Sequence, residues 1–350
     1  MILAKLRDLV KHRAFFFGLF ALVVLVLVFL KVSDLKEIGE NFLKVHPAWL
    51  AAAVFSQFGT YLSDSESFAI SVRWFGMRVP RSVMVRAAIV IEFLNDITPS
   101  FGMSSNIYLA WLLRNWGLSL ANSALVLMLQ NLASFLAFTL VLMAGSIYLY
   151  NFGGLSATAS IAALSMLAVA GAFWSFVLLI FLKESWTIGL SLKAVQVSSK
   201  YLKIRFSTDQ VQKLIADLRE GRQQVLARKR LFVYLLLYKL GRFAFDSLTV
   251  YLLFVATRST QSFPLAMVGY AAAVFLSTIS MLPGGVGSFE VTMVVVYNRL
   301  GVSLETAGVV TLMFRALSFW LPIPLGLWFF RKGEASRKAQ AEVPQPQSSG

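Results

Sequence analysis

The chain contains no cysteine, which excludes disulfides and thiolate chemistry. Histidine is nearly absent. The two present, His12 and His46, fall in loops and have no metal-ligand spacing. Charge is scarce as well: 14% of residues are charged, against roughly 25% in ordinary soluble domains. With 58% of residues hydrophobic, the chain cannot dissolve as a globule. There is no Gly-Lys-Ser/Thr phosphate loop, which argues against ATP as a direct energy source. No Asp-x-x-Asp pair occurs, and no span carries a histidine. The usual equipment for Mg²⁺-dependent or histidine-based lipid-phosphate chemistry is therefore missing. No small-x-small cleavage site follows the first apolar run, so that run reads as an uncleaved anchor.

What the chain does have is apolar length. Six full spans are expected at about 14–30, 48–72, 119–143, 157–182, 231–256 and 304–329. Two further apolar stretches, 83–113 and 265–297, are each broken by a proline into halves short for a span. Each reads as a re-entrant hairpin, and a pair of short spans would give the same parity. The fold class is thus an all-α polytopic membrane protein, with about six full spans and two Pro/Gly-broken re-entrant hairpins. Residues 1–332 form one transmembrane domain, and 333–350 read as a disordered polar tail.

The net charge of +15 sits in the loops. With a cytoplasmic N-terminus, the inside segments hold 23 of the Lys and Arg residues and the outside segments 5. Positive charge accumulates on the cytoplasmic side, so the expectation is a cell (inner) membrane protein with both termini inside. No separate basic domain exists to bind nucleic acid. The inside loop 183–230 contains an amphipathic stretch, with Val211, Leu214, Ile215, Leu218, Val225 and Leu226 at helical spacing. It reads either as a helix lying on the anionic inner leaflet or as a solvated linker.

A shift of 184 residues aligns the chain with itself. Pro80 falls on Pro264, Pro99 on Pro283, Gly117 on Gly301, and Ser134-Phe135 on Ser318-Phe319. The repeat halves are about 48–143 and 231–329. The first broken stretch opens from the inside and the second from the outside, so the halves read as an inverted repeat. Such repeats with broken helices near the midplane characterise transporters, although gene duplication alone would also leave one.

The strongest local signal is Leu282-Pro-Gly-Gly-Val-Gly-Ser-Phe-Glu290. Pro283 cannot donate a helical hydrogen bond, and Gly284, Gly285 and Gly287 open backbone conformations closed to other residues. A helix starting near Ser288 would offer free N–H groups to an anionic head group. A tight packing turn is the plain alternative. Asp64, Glu66, Glu92, Asp96, Asp246 and Glu290 lie in apolar stretches with Arg86, Lys239, Arg242 and Arg315. Each is costly there and implies a partner or a wet cavity. Arg242 and Asp246, spaced i, i+4, are expected to neutralise each other. Arg315 has no acid within a turn, so Glu290 or a lipid phosphate is its expected partner. In the first repeat the equivalents are Asn106 for Glu290 and Asn131 for Arg315.

These motifs resemble the transmembrane, flippase-like domain of lysylphosphatidylglycerol synthases over about residues 10–332. The likeness is most specific in 282–290, in Leu-Gly-Val-Ser at 300–303 and in Phe-Arg-Ala-Leu-Ser-Phe-Trp at 314–320. The family's first half has Pro, then a Gly-Gly-acid element and Arg, then an acid–Arg pair. Here Ile97-Thr-Pro-Ser-Phe-Gly-Met-Ser-Ser-Asn and Gln130-Asn131 stand in their place. The resemblance implies a non-enzymatic translocase for phospholipids or other lipids with phosphate-bearing head groups, without a cofactor. It also implies that the aminoacyl-transfer domain of fused members is missing here. The expected lipid-binding set is Pro283, Gly284, Gly285, Gly287, Ser288, Glu290 and Arg315, with Pro99, Gly102, Ser104, Asn106 and Asn131 from the first repeat. The partners implied are anionic membrane lipids and a lipid-modifying enzyme. The rival readings are an embedded lipid-phosphate transferase and a scaffold for such an enzyme.

Overall fold

In the computed structural model, residues 45–98, 102–152, 208–280 and 282–341 are described, with isolated positions between 171 and 193. The expected spans at 14–30 and 157–182, and Pro99, lie outside the described residues. Everything regular within the described residues is helical. The order is α1 (Pro47–Arg73), α2 (Arg81–Ile97), α3 (Met103–Asn115), α4 (Leu120–Phe152) and α5 (Thr208–Ala227). It continues with α6 (Arg230–Ala256), α7 (Phe263–Ser280), a 3₁₀ turn (Pro283–Gly285), α8 (Ser288–Arg299) and α9 (Leu304–Arg315). A π turn (Ala316–Trp320) then leads into α10 (Pro322–Ala341).

Among the described residues, three helical stretches are long and apolar enough to cross a bilayer: Leu120–Gly145, Phe263–Ser280 and Leu304–Lys332. α1 and α6 have 27 residues each, a length of about 40 Å, but carry polar groups along the face they share. Both proline-broken stretches are broken where expected, between α2 and α3 and between α7 and α8. The last span differs from a plain helix. Pro322 has no N–H to continue an α-helical ladder, and Leu321 N–H reaches back to Ala316 O (3.0 Å), closing a π turn. α10 then runs on to Ala341, into the segment read as a disordered tail.

The two proline breaks follow the sequence punctuation. Pro47 occupies the first turn of α1, and Pro80 immediately precedes α2, positions where the missing N–H costs nothing. Ser303 caps α9 by accepting from Thr306 N–H (3.3 Å). The turns after α3 and α8 repeat each other at the offset of 184. Gly117 N–H bonds Arg114 O (3.0 Å) and Leu118 N–H bonds Leu113 O (3.1 Å). Gly301 N–H bonds Asn298 O (3.1 Å) and Val302 N–H bonds Tyr297 O (3.0 Å). Both glycines have positive φ, 95° and 89°, which only glycine adopts freely at a helix C-terminus.

Packing divides into three apolar clusters. One joins α6, α7, α8 and α9 around Tyr270, Phe289, Tyr297 and Phe314. A second joins α2, α3 and α10 around Met84, Phe93, Leu109 and Phe330. The third joins the end of α1 with α4, α5 and α6 around Trp74, Leu125 and Leu235. Leu218 and Val225 of α5 are buried in this third cluster. The apolar face of the amphipathic segment therefore packs on the protein and does not lie free on a leaflet or in solvent. α1 and α6 cross between the clusters, and their contact is polar.

Candidate functional site

The broken α7–α8 segment is built by its glycines and closed by an ion pair. Gly284, Gly285 and Gly287 all have positive φ (54°, 64° and 84°), so the chain turns through conformations unfavourable to any other residue. Ser288 Oγ donates to Gly285 O (2.9 Å) and lies 2.8 Å from Ser280 Oγ, tying the turn across the break. Glu290 folds back on its own helix start: Gly287 N–H donates to Glu290 Oε2 (2.7 Å). The helix N-terminus expected to face an anion is thus capped from within. The other carboxylate oxygen takes Arg315 Nε–H at 2.6 Å. Arg315 Nη2 also donates to Gly284 O (2.9 Å). The guanidinium sits 4.2 Å from the Phe319 ring centroid and 5.0 Å from that of Phe289. With Arg315 5% and Glu290 4% exposed, this is a dry, charge-balanced clasp between the glycine turn and α9.

Of the expected lipid-binding residues, the structure therefore unites Gly284, Gly285, Gly287, Ser288, Glu290 and Arg315, with Pro283 in the 3₁₀ turn. The described members of the first-repeat set stand on α3, its N-cap and α4. Gly102 has φ 75° beside Asn95, Ser104 is buried in α3, Asn106 is half-buried, and Asn131 is exposed on α4. The preceding Gln130 is the buried one, donating to Ser67 O (2.8 Å) and Ser71 Oγ (2.7 Å) of α1. The two breaks nevertheless meet. A Cβ on Gly284 would run into the Phe319 ring and stand 3.1 Å from Asp96 O, at the end of α2.

A second buried network lies along the α1–α6 contact. Lys239 Nζ is 2.8 Å from Asp64 Oδ1. Arg242 spans two other helices, with Nη1 2.9 Å from Asp64 Oδ2 and Nη2 2.6 Å from Glu92 Oε1. Its expected partner Asp246 stands 3.9 Å away. The i, i+4 contact persists as the longest of the three, because α1 and α2 present acids at closer range. Asp246 also accepts from three neutral donors: Tyr270 OH (2.6 Å), Thr60 Oγ1 (2.9 Å) and Gln57 Nε2 (3.2 Å). The sequence marked these acids and bases as costly, but the acids that meet Lys239 and Arg242 at under 3 Å come from elements more than a hundred residues away. The neutral members Gln57, Thr60 and Tyr270 gave no signal at all. Tyr61 extends the network by donating to Leu317 O (3.4 Å), inside the π turn that follows Arg315.

Open space lies at the turn between α1 and α2. A cleft of about 540 Å³ at the α1–α2 turn is lined by Arg73, Arg78, Arg81 and Arg228, and no acid lines it. Arg228 is held there by donating from Nη1 to Arg73 O (2.9 Å) and Trp74 O (3.3 Å). A second cleft of about 760 Å³ adjoins, adding Lys229 and Arg230. Both can hold an anion at a water-accessible edge.

Comparison with known proteins gives three findings. Residues 15–326 match the family model described as the lysylphosphatidylglycerol synthase TM region. A UPF0104 membrane protein of Methanothermobacter thermautotrophicus is 20% identical over 330 residues, covering 91% of this chain and 94% of the relative. A UPF0104 membrane protein of Pyrococcus horikoshii is 28% identical over 151 residues, 41% of this chain and 45% of that relative. The latter match thus takes in just under half of its relative.

Proposed function

We propose, from the premise that this chain belongs to the family of the lysylphosphatidylglycerol synthase TM region, that it moves a lipid with a phosphate-bearing head group between leaflets. The observation that carries this reading is the polar track through an apolar protein. It runs from Asp64 and Lys239 through Arg242 and Glu92 to the place where the two helix breaks meet. Each such charge is expensive inside a bilayer, by a few kcal/mol at the helix centre on insertion scales, and is retained where a polar cargo or ion must pass.

The repeat at an offset of 184, which we read as inverted, supports the same reading. The turns after α3 and α8 match bond for bond at the 184 offset. α1 and α6, also equivalents, cross with Ser56 Oγ on Phe245 O (2.9 Å) and Lys239 on Asp64, the antiparallel order a pseudo-two-fold axis requires. Alternating access exchanges two such halves. In this state Arg315 is closed on Glu290. Head-group passage requires that clasp to open, with the phosphate taking the place of the carboxylate. The arginine cleft is the entry point for an anionic head group, on the cytoplasmic side in the N-in, C-in orientation that the Lys and Arg distribution supports.

The test is purified protein in liposomes carrying a fluorescent phospholipid in one leaflet. Protein-dependent loss of leaflet asymmetry is expected. No acceleration with any glycerophospholipid or polyprenyl-phosphate lipid would sink the reading, and product formation from the lipid would replace it with transferase chemistry.

A further inference from the structure

Among the described residues, the interior is short of positive charge. Leaving aside the exposed Arg86 and the Glu66–Arg81 pair at the rim, five carboxylates (Asp64, Glu92, Asp96, Asp246 and Glu290) face three cations. The cations are Lys239, Arg242 and Arg315. Glu290 and Arg315 cancel. Asp64 is held by both Lys239 and Arg242. Asp246 accepts from Tyr270, Thr60 and Gln57 and lies 3.9 Å from Arg242. That leaves Glu92 and Asp96, one turn apart on α2 and each only half-buried, with a share of Arg242, itself half-buried, as the ion pair made to them among the described residues. Like charges at this spacing repel even on a water-exposed helix.

Hydrogen bonding shows the same deficit independently. Among the described residues, Asp96 Oδ2, Asn95 Oδ1 and Gln57 Oε1 are buried acceptors that receive no donor. Gln57 is 2% exposed and points its amide at Asp246. Turning that amide over would only aim its oxygen at a carboxylate. All three orphans are acceptors, so the region lacks donors as well as cations. One proton on the pair adds a donor and removes one of the two excess negative charges. A sodium ion would need about six oxygen ligands clear of cations, and Arg242 occupies the middle of this cluster.

We propose that Glu92 and Asp96 together carry one exchangeable proton, taken from water on one side of the membrane and released on the other as the two halves exchange. The proton forms an O–H bond on one carboxylate and leaves as hydronium; no other group changes. Asp64 and Tyr61 of α1, Lys239, Arg242 and Asp246 of α6, Tyr270 of α7 and Arg315 at the end of α9 are the charged and titratable groups that act on the pair. The pair sits where α2 ends against the Gly284 turn, so its charge state bears directly on the contact between the breaks. The drive for lipid movement assigned to this proton rests on the translocation reading; the proton site does not.

Two measurements on the full-length protein separate the claims. Infrared difference spectroscopy between acid and alkaline buffer should show a titrating carboxyl band in the wild type. The band should vanish in the Glu92→Gln, Asp96→Asn double variant and persist in Asp246→Asn, with size-exclusion profiles confirming folded protein. A wild type with no such band, or a double variant that keeps it, overturns the proposal. If the double variant does not fold, the single variants decide: each should shift the band, and an unmoved band in both overturns it. In liposomes, an imposed pH gradient should change the lipid-movement rate of the wild type several-fold and leave Asp96→Asn unaffected. A rate that follows a sodium gradient and ignores pH overturns the coupling. Complete absence of lipid movement defeats the translocation reading, and the infrared result then decides the proton site alone.

Discussion

Arg315 ties three parts of the site together. It neutralises Glu290, holds Gly284 O and lies between two phenylalanine rings. Removing one member of a buried ion pair strands the other, at a cost of about 3–5 kcal/mol. Arg315→Ala should therefore lower both lipid movement and detergent-state thermal stability. Glu290→Gln with Arg315→Met removes both charges and should recover much of the stability, while lipid movement stays lost. If the double variant transports normally, the clasp is architecture alone. At the other end of the molecule, Arg73→Ala with Arg78→Ala should slow movement of anionic lipids more than of zwitterionic ones, since the cleft offers cations and no acids. Equal slowing of both would argue against head-group selection there. The pairing of Arg315 with Glu290 was legible in the sequence, because an isolated cation in a span needs an acid. Arg242 was not, because its partners Asp64 and Glu92 are brought to it only by α1 and α2 packing on α6.

Among the elements, the glycine turn between α7 and α8 is the least tolerant of change. A Cβ at Gly284 would be strained by its positive φ, at roughly 1–3 kcal/mol, and would also strike Phe319. Gly284→Ala should lower the melting temperature in detergent and loosen Arg315, whose bond to Gly284 O depends on that turn. An unchanged melting temperature would show that the turn rearranges freely. The proline and glycine positions foretold both breaks. They did not foretell that Glu290 caps α8 from inside, because a helix start reads the same whether its amides meet a ligand or its own side chain. The amphipathic α5 is a similar case: helical spacing of Leu218 and Val225 identifies an apolar face without saying whether lipid or protein covers it.

At the scale of the whole molecule, the repeat makes a topological prediction. Asn115 and Arg299 are exposed equivalents at the ends of α3 and α8, separated by the offset of 184. The chain has no cysteine, so Asn115→Cys and Arg299→Cys each give a single label site. In sealed, oriented vesicles a membrane-impermeant thiol reagent should reach Asn115→Cys from the inside and Arg299→Cys from the outside. Labelling of both from one side would mean that the halves are not inverted. The sequence by itself determined the helical class, the family, the two breaks and the cost of every interior charge, because hydropathy, proline and glycine act locally along the chain. Only the tertiary structure decided which acid meets which base, that the breaks touch near Asp96 and Gly284, and that carboxylates outnumber their cations in the interior among the described residues. Those follow from which helices pack together, and the energy of a buried charge is set by its neighbours in space.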